Sequence, residues 1–194
     1  MFKSSKLSTH SICLEPLEEL HRESLRVVVS DERISTYTTV SSKAFDVWFN
    51  QALVPREVND RFAFAVRRLA DHKLVGSTSY YDFSDIHRRV LIGFTWYHPD
   101  VWGTEVNPTC KYLLLQHAFE TLTLNRVGFE ADVRNARSRA AILKLGAKEE
   151  GIMRQHMIMP DGHIRDTVFF SILRQEWPVA KKNLEARLKI NTRK

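Results

Sequence analysis

A chain of 194 residues, 43% hydrophobic and 27% charged, has the composition of an ordinary globular protein and is long enough to bury a core without metal or disulfide staples. It contains no run near the ~18 apolar residues of a membrane span, and its first residues, MFKSSKLSTHSICLEPL, lack the apolar stretch and small-residue cleavage site of an export signal. The reading is of a soluble, cytoplasmic, single-domain protein whose formal charge of +6 favours an anionic ligand or surface.

Cys13 and Cys110 are too few for a disulfide framework and are expected to pack as small hydrophobes. The basic residues are spread along the chain except at its end, where Lys181, Lys182, Arg187, Lys189, Arg193 and Lys194 crowd together. We read 11–177 as the core and 178–194 as a basic, solvated tail or helix rather than a nucleic-acid patch.

Residues 11–15, with Ile12, Cys13 and Leu14, predict a short first strand, and Pro16 the start of a helix carrying Leu17, Leu20, Ser24 and Leu25. A polar connection at 30–42 leads to a second helix at 43–54, with Phe45, Val47, Trp48 and Leu53, which stops before Pro55. These segments read as a wall or lid. Residues 61–69 alternate Phe62, Phe64 and Val66 with smaller or charged neighbours, and a turn at Asp71-His72-Lys73 leads into 74–81, which makes a hairpin. After a polar link at 82–88 comes the run 90–97, in which Thr95 is the one polar side chain. That run predicts a central strand buried on both faces, and the three strands in succession are expected to be antiparallel neighbours.

His98, Pro99 and Asp100 end the central strand, and Asn107-Pro108 is a helix-start signature, Asn capping free donors and Pro fitting the first turn. Leu115, Ala118, Phe119 and Leu122 give that helix one apolar stripe. The loop 102–106 therefore gathers unpaired N–H groups and a positive helix end, which suits either a phosphate site or a plain capped turn. Residues 126–134 alternate Val127, Phe129, Ala131 and Val133 against Gly128, Glu130 and Asp132, a half-buried strand reached by a right-handed parallel crossover. Asn135 begins a short helix with Ser138, Ala141, Ile142 and Leu145 on one stripe and Gly146 as its stop. Alternating strands at 151–159 and 163–174 flank Pro160-Asp161-Gly162, and Ala180, Leu184 and Leu188 follow Trp177-Pro178 as a terminal helix. In such a mixed sheet ligands collect where strand ends meet helix N-termini.

Four stretches in order, IGFTWYHPDVWGTEVNPTCKYLLLQHAFE, RVGFEADVRNARSRAAILKLGA, EEGIMRQH and DGHIRDTVFFSILRQEW, resemble the GNAT superfamily of acyl-CoA-dependent N-acetyltransferases, and within it the Rim-type group related to ribosomal-protein N-terminal acetyltransferases. The resemblance covers about residues 11–177. It implies an α+β (mixed α/β) fold: a single GNAT-like domain with a central mixed, mostly antiparallel sheet, a splayed parallel strand pair and helices on both faces. It implies acetyl-CoA as co-substrate; no metal is expected, since the histidines and the two distant cysteines offer no ligand set.

The resemblance also implies site residues. Backbone groups of Trp102, Gly103, Thr104, Glu105, Val106 and Asn107 would hold the pyrophosphate, and those at Trp96 and Tyr97 the pantetheine amides. Asn135, Arg137 and Ser138 match the Asn-x-x-Ser signature, Asn135 on the pantetheine arm and Ser138 by the sulfur as proton donor. From the residues alone, Asn135 reads as a helix cap and Ser138 as a small packed residue. The loop departs from the family pattern of Arg or Gln, two variable residues, Gly, one variable residue, then Gly or Ala, at Trp102, Glu105 and Asn107. Gly103 and Thr104 match a WGT form of the loop. A Glu105 carboxylate facing water leaves the loop open to phosphate; one turned inward repels it.

Transfer to an amine by direct attack needs an unprotonated nucleophile and stabilisation of the thioester oxygen, for which a backbone N–H at Trp96 or Tyr97 is the candidate. Met157 stands where a family carboxylate is expected, so the base is Glu130, His156 or water. The eight histidines show no HExxH spacing. Two other readings stand beside the transferase: a CoA-binding protein with little or no transfer activity, and a ribosome- or RNA-associated protein that binds through its basic end. The acceptor is open between a protein or peptide N-terminus, a polyamine and another small amine, chosen by residues within 34–58 and the last hairpin; a homo-oligomer is also open.

Overall fold

The computed structural model describes residues 5–38, 40–54, 60–159 and 161–190. Among these residues eight strands form one sheet: β1 (Leu7–Ser8), β2 (Ile12–Pro16), β3 (Arg61–Arg68), β4 (Leu74–Ser84), β5 (Arg89–Tyr97), β6 (Arg126–Asp132), β7 (Lys148–Ile158) and β8 (Ile164–Leu173). Their spatial order is β1-β2-β3-β4-β5-β6-β8-β7. Every neighbouring pair is antiparallel except β5 and β6, whose parallel register is Arg89↔Arg126, Val90↔Val127 and Leu91↔Gly128. The expected mixed sheet, with a parallel pair in its middle, is thus what the chain forms.

Helices cover both faces. On one, α1 (Arg22–Val29) and α2 (Phe45–Leu53) bury Leu25, Val29, Phe45, Trp48 and Phe49 against Ala63, Ala65, Leu74 and Trp96. On the other, α3 (Val106–Gln116) and α5 (Trp177–Leu188) pack Leu114, Leu115, Ala180 and Leu184 on Phe64, Tyr80, Ile92, Val127 and Phe170. The short α4 (Ala136–Leu143) links β6 to β7 and adds Ile142 to that second core. Because Trp177, Leu184 and Leu188 are buried there, the segment 177–188 is a wall of the core, and its Lys181 bonds Glu120 at 2.9 Å.

Several boundaries differ from the sequence reading. Pro16 ends β2 instead of opening a helix, and α1 starts only at Arg22 after a single turn at Glu19–His21. The reason is local: the Glu18 N–H donates to His21 Nδ1 at 3.0 Å, and His21 Nε2 lies 3.1 Å from the Glu15 carboxylate, which also takes Arg67 at 2.9 and 3.1 Å. In α2 the inward stripe is Phe45, Trp48, Phe49 and Ala52, and Val47 is exposed. Glu105, not Asn107, is the residue before α3, and the first helical bond runs from Thr109 N–H to Glu105 O at 2.9 Å. Pro108 is the third helical residue, still within the turn whose N–H groups have no helical acceptor. The end of that helix widens into a π turn over His117–Thr121.

β7 is the outer strand and is exposed along almost its whole length, on both faces, so its expected alternation is not a burial pattern. The turn expected at Pro160 falls partly outside the described residues; beside it Gly162 has φ +82° and its N–H donates to Met159 O at 2.8 Å.

Candidate active site

β5 is not buried on both faces: Phe94 is 41% exposed. Between Ser77 and Ser79 on β4 the register slips, so two residues of β5 oppose one of β4. This is a bulge. Phe94 sits in it at φ +47°, a left-handed conformation that costs a bulky residue about 1 kcal/mol or more.

The bulge lies where β5 and β6 separate. Their pairing ends at Leu91↔Gly128, and beyond it each strand keeps only its other neighbour, β6 with β8 at Glu130↔Phe169 and Asp132↔Thr167 and β5 with β4 at Ser77↔Trp96 and Gly76↔Tyr97. Close approach of β4 and β5 requires Gly76, since a Cβ there would lie 2.1 Å from the Trp96 carbonyl oxygen. The His98 N–H donates to Val75 O at 2.8 Å. Antiparallel alternation then directs the backbone groups of Trp96 and His98 toward β4 and those of Tyr97 away from it, toward β6. There the Trp102 indole N–H donates to the Tyr97 carbonyl at 3.0 Å, which leaves the Tyr97 N–H facing the opening.

The side chains of Trp96 and Tyr97 do not line this opening. Trp96 packs edge-on against Trp48, with centroids 5.2 Å apart. Tyr97 is buried in the core beside the Cys110 thiol, and burial raises the pKa of both groups, Cys110 to about 12. Both cysteines are buried, as expected.

Past the strand, a single turn at Pro99–Val101 leads to Trp102 and to Gly103 at φ +76°. Thr104 folds back, its hydroxyl donating to Val101 O at 2.7 Å and accepting from Val106 N–H at 3.3 Å. The N–H groups of Gly103, Glu105 and Asn107 take no partner among the described residues. Glu105 is exposed and its side chain makes no cap bond, so the carboxylate stands in solvent.

α4 begins next to this loop. Asn135 is its cap: Oδ1 accepts the Ser138 N–H at 2.9 Å. The preceding turn is pinned by the buried Asp132 carboxylate, which accepts from the Arg134 backbone at 2.8 Å and from its guanidinium. Ser138 is half-buried, and its hydroxyl has no partner among the described residues. Arg137 stacks on Trp102, its guanidinium carbon 3.7 Å from the ring centre. So Trp102, Gly103, Thr104, Glu105, Val106 and Asn107 meet Arg137 at one end of the sheet.

The remaining candidates share the face that carries α1 and α2. Glu130 on β6 and His156 on β7 lie either side of Phe169: Glu130 pairs with it across the strands, and the His156 ring is 5.6 Å from it. His156 Nδ1 is 3.1 Å from the Thr167 hydroxyl. Tyr81 reaches over Gly93, where an added Cβ would meet its ring at 2.6 Å. Burial, and next the Glu130 carboxylate, raise its pKa.

Two buried cations flank the bulge, and the sequence reading assigned neither. Lys111, in α3, bonds Thr95 Oγ1 at 2.7 Å and Thr78 Oγ1 at 3.4 Å; burial lowers its pKa to about 8. Arg61, at the start of β3, donates from Nε to Ser79 Oγ at 3.0 Å and rests against Phe94 and Trp48, with its guanidinium carbon 4.1 and 5.1 Å from their centroids. Burial lowers its pKa to about 10. Arg61 and Phe94 line a cleft of about 630 Å³ together with Gln51, Val54, Asp60, Tyr81 and Asp82.

Residues 11–148 match the sequence profile of a family described as an acetyltransferase (GNAT) domain. The Bacillus subtilis protein named "putative ribosomal N-acetyltransferase YdaF" is 30% identical over 132 residues, 66% of this chain and 71% of that one. A GCN5-related N-acetyltransferase from Brucella melitensis has the same fold, with a TM-score of 0.87 at 27% identity over 95% of this chain and 85% of that one. RimJ of Mycobacterium smegmatis, solved in complex with CoA-disulfide, superposes with a TM-score of 0.78 at 18% identity over 94% and 93% of the two chains, a likeness of fold. Profile, relatives and the divided sheet agree with the resemblance read from the four sequence stretches, and the chain belongs to the GNAT acetyltransferase family.

Proposed function

We propose that this protein transfers the acetyl group of acetyl-CoA to a primary amine, that of a peptide or protein N-terminus, by direct attack within a ternary complex. The observation that carries the reading is the parting of β5 from β6 after Leu91↔Gly128, next to a helix start with free N–H groups. The loop suits a diphosphate: Gly103, Glu105 and Asn107 offer backbone donors, Glu105 faces water, and Arg137 adds a guanidinium held by Trp102. The name of the Bacillus subtilis relative supports the acceptor class.

When bound, acetyl-CoA supplies an acyl group activated as a thioester. The chain's own groups then divide the work. The Tyr97 N–H, held in the opening by the β4 register and the Trp102 bond, donates to the carbonyl oxygen as charge develops there. Ser138, its N–H fixed by Asn135 and its hydroxyl free, donates a proton to the departing sulfur. Glu130 and His156, on the acceptor face, are the groups placed to take the proton of the amine, directly or through water. Alignment of the two reactants supplies the rest of the acceleration.

The test is thiol release from acetyl-CoA against a panel of N-terminal peptides, polyamines and amino acids, with calorimetric titration of CoA. We expect CoA binding and release with at least one peptide. Binding without turnover across the panel would make this a CoA-binding protein, and absence of both would reject the proposal.

A further inference from the structure

Arg61 is 6% exposed and, among the described residues, bonds only through its Nε–H, to Ser79; Nη2 is buried with no hydrogen-bond partner among them. Among the described residues no carboxylate pairs with it. Of the two acids among the described residues that line the same cleft, Asp82 is bound by both Nη atoms of Arg89, and Asp60 is exposed at the rim. A buried guanidinium with most of its five donors unused and no counter-ion is costly for a fold. Met or Leu would fill the space between Phe94, Trp48 and Ser79 without that cost. The arrangement makes sense with a ligand in the cleft. The aromatic rings against the guanidinium and the Ser79 bond at Nε leave the Nη groups without a partner among the described residues, and a carboxylate entering the cleft would supply one.

The cleft opens beside the bulge that marks the thioester end of the site, on the face that carries Glu130 and His156. We infer that Arg61 is the anchor of a carboxylate-binding subsite for the acceptor, so that the preferred amine carries a carboxylate, either the α-carboxylate of a free amino acid or an acidic side chain near a peptide N-terminus. This rests on the transferase reading and narrows its substrate class. A neutral or cationic amine leaves the Nη groups of Arg61 unpaired, whereas an anionic one satisfies them, so discrimination should exceed what a surface charge gives.

The test uses binding, so that it does not depend on turnover. The wild-type protein, with CoA present, is titrated calorimetrically with two pairs of acetylated products: an N-acetyl amino acid against its amide, and an N-acetyl tripeptide amide with Glu against Gln at the second position. We expect at least tenfold tighter binding of the carboxylate member in one pair, which identifies the source of the carboxylate. Arg61→Met should abolish that preference, and Arg61→Lys, which keeps the charge but not the fork, should retain part of it. Equal affinities in both pairs would overturn the proposal, as would a preference that survives in Arg61→Met. Should Arg61→Met not fold, the wild-type pairs and Arg61→Lys decide. Carboxylate preference without thiol release from acetyl-CoA would keep the subsite and remove the transferase reading.

Discussion

The guanidinium of Arg137 lies over the indole of Trp102 at 3.7 Å, so the first turn of α4 is fastened to the loop before α3. The same indole donates to the Tyr97 carbonyl. One side chain thus ties together the loop before α3, the start of α4 and the strand end that carries the Tyr97 N–H.

Trp102→Ala should therefore weaken CoA binding more than Arg137→Ala. We expect about fivefold for Arg137→Ala, near the worth of one cation–π contact and one phosphate contact, and at least tenfold for Trp102→Ala. The double variant should lose less than the product of the two, because the pair acts together. Calorimetric titration of CoA at two salt concentrations checks this; additive losses would show that the stacking has no part in holding the loop.

Variants at Ser138 and Asn135 should separate chemistry from structure. Ser138→Ala should lower kcat by about tenfold or more, toward or just below the low end of what a positioned proton donor contributes, and leave CoA affinity within about twofold. Asn135→Ala removes the bond to Ser138 N–H and should cost about 1 kcal/mol of stability as well as activity. Equal losses of kcat and CoA affinity in Ser138→Ala would make it a binding residue.

Lys111 bears on alkaline stability. Its folded pKa of about 8 is below the unfolded value of about 10.5. Between those pH values the unfolded chain holds more protons, so the lysine's contribution to stability rises with pH across that window. At pH 7 its burial costs about 3 kcal/mol. Lys111→Met, which leaves Thr78 and Thr95 bonded to each other at 2.8 Å, should raise Tm by about 5 °C at pH 7. The gain should shrink toward pH 10.5; a gain independent of pH would show that the ammonium is not strained where it sits.

Glu15 acts at the other end of the scale. The Arg67 guanidinium, acting against burial and joined by His21, holds its carboxyl at about 2. The folded pKa is depressed, so the stabilisation is complete above about pH 4.5 and fades as pH falls toward 2. Glu15→Gln should cost about 3 kcal/mol at pH 7 and match wild type in stability near pH 2. Urea titrations from pH 7 to 2 measure the converging difference.

The antiparallel run β3-β4-β5 was readable because polar turns at Asp71-His72-Lys73 and 82–88 punctuate it, and the crossover to β6 because a strand, a helix and a strand in series permit one hand. Asn135 was readable as a cap, since its side chain has the needed acceptor. The bulge was not: IGFTWY carries no glycine at Phe94, and its left-handed φ is imposed by the register of β4. Nor were Arg61 and Lys111, which sit among ordinary strand and helix charges and become unusual only once burial removes water and the described residues supply no acid. The exposure of β7 follows from its outer place in the sheet order, which alternation within one segment does not encode.

Phe94 also sets a limit on how this protein can be made more robust. Glycine or asparagine there would accept the backbone angle readily and relieve about 1 kcal/mol of conformational cost. Either would also withdraw the ring that rests on Arg61 and on Tyr81, at 5.0 Å between centroids. A search for heat-tolerant variants should keep returning to this position, and each hit there should come with a looser grip on whatever occupies the adjoining cleft.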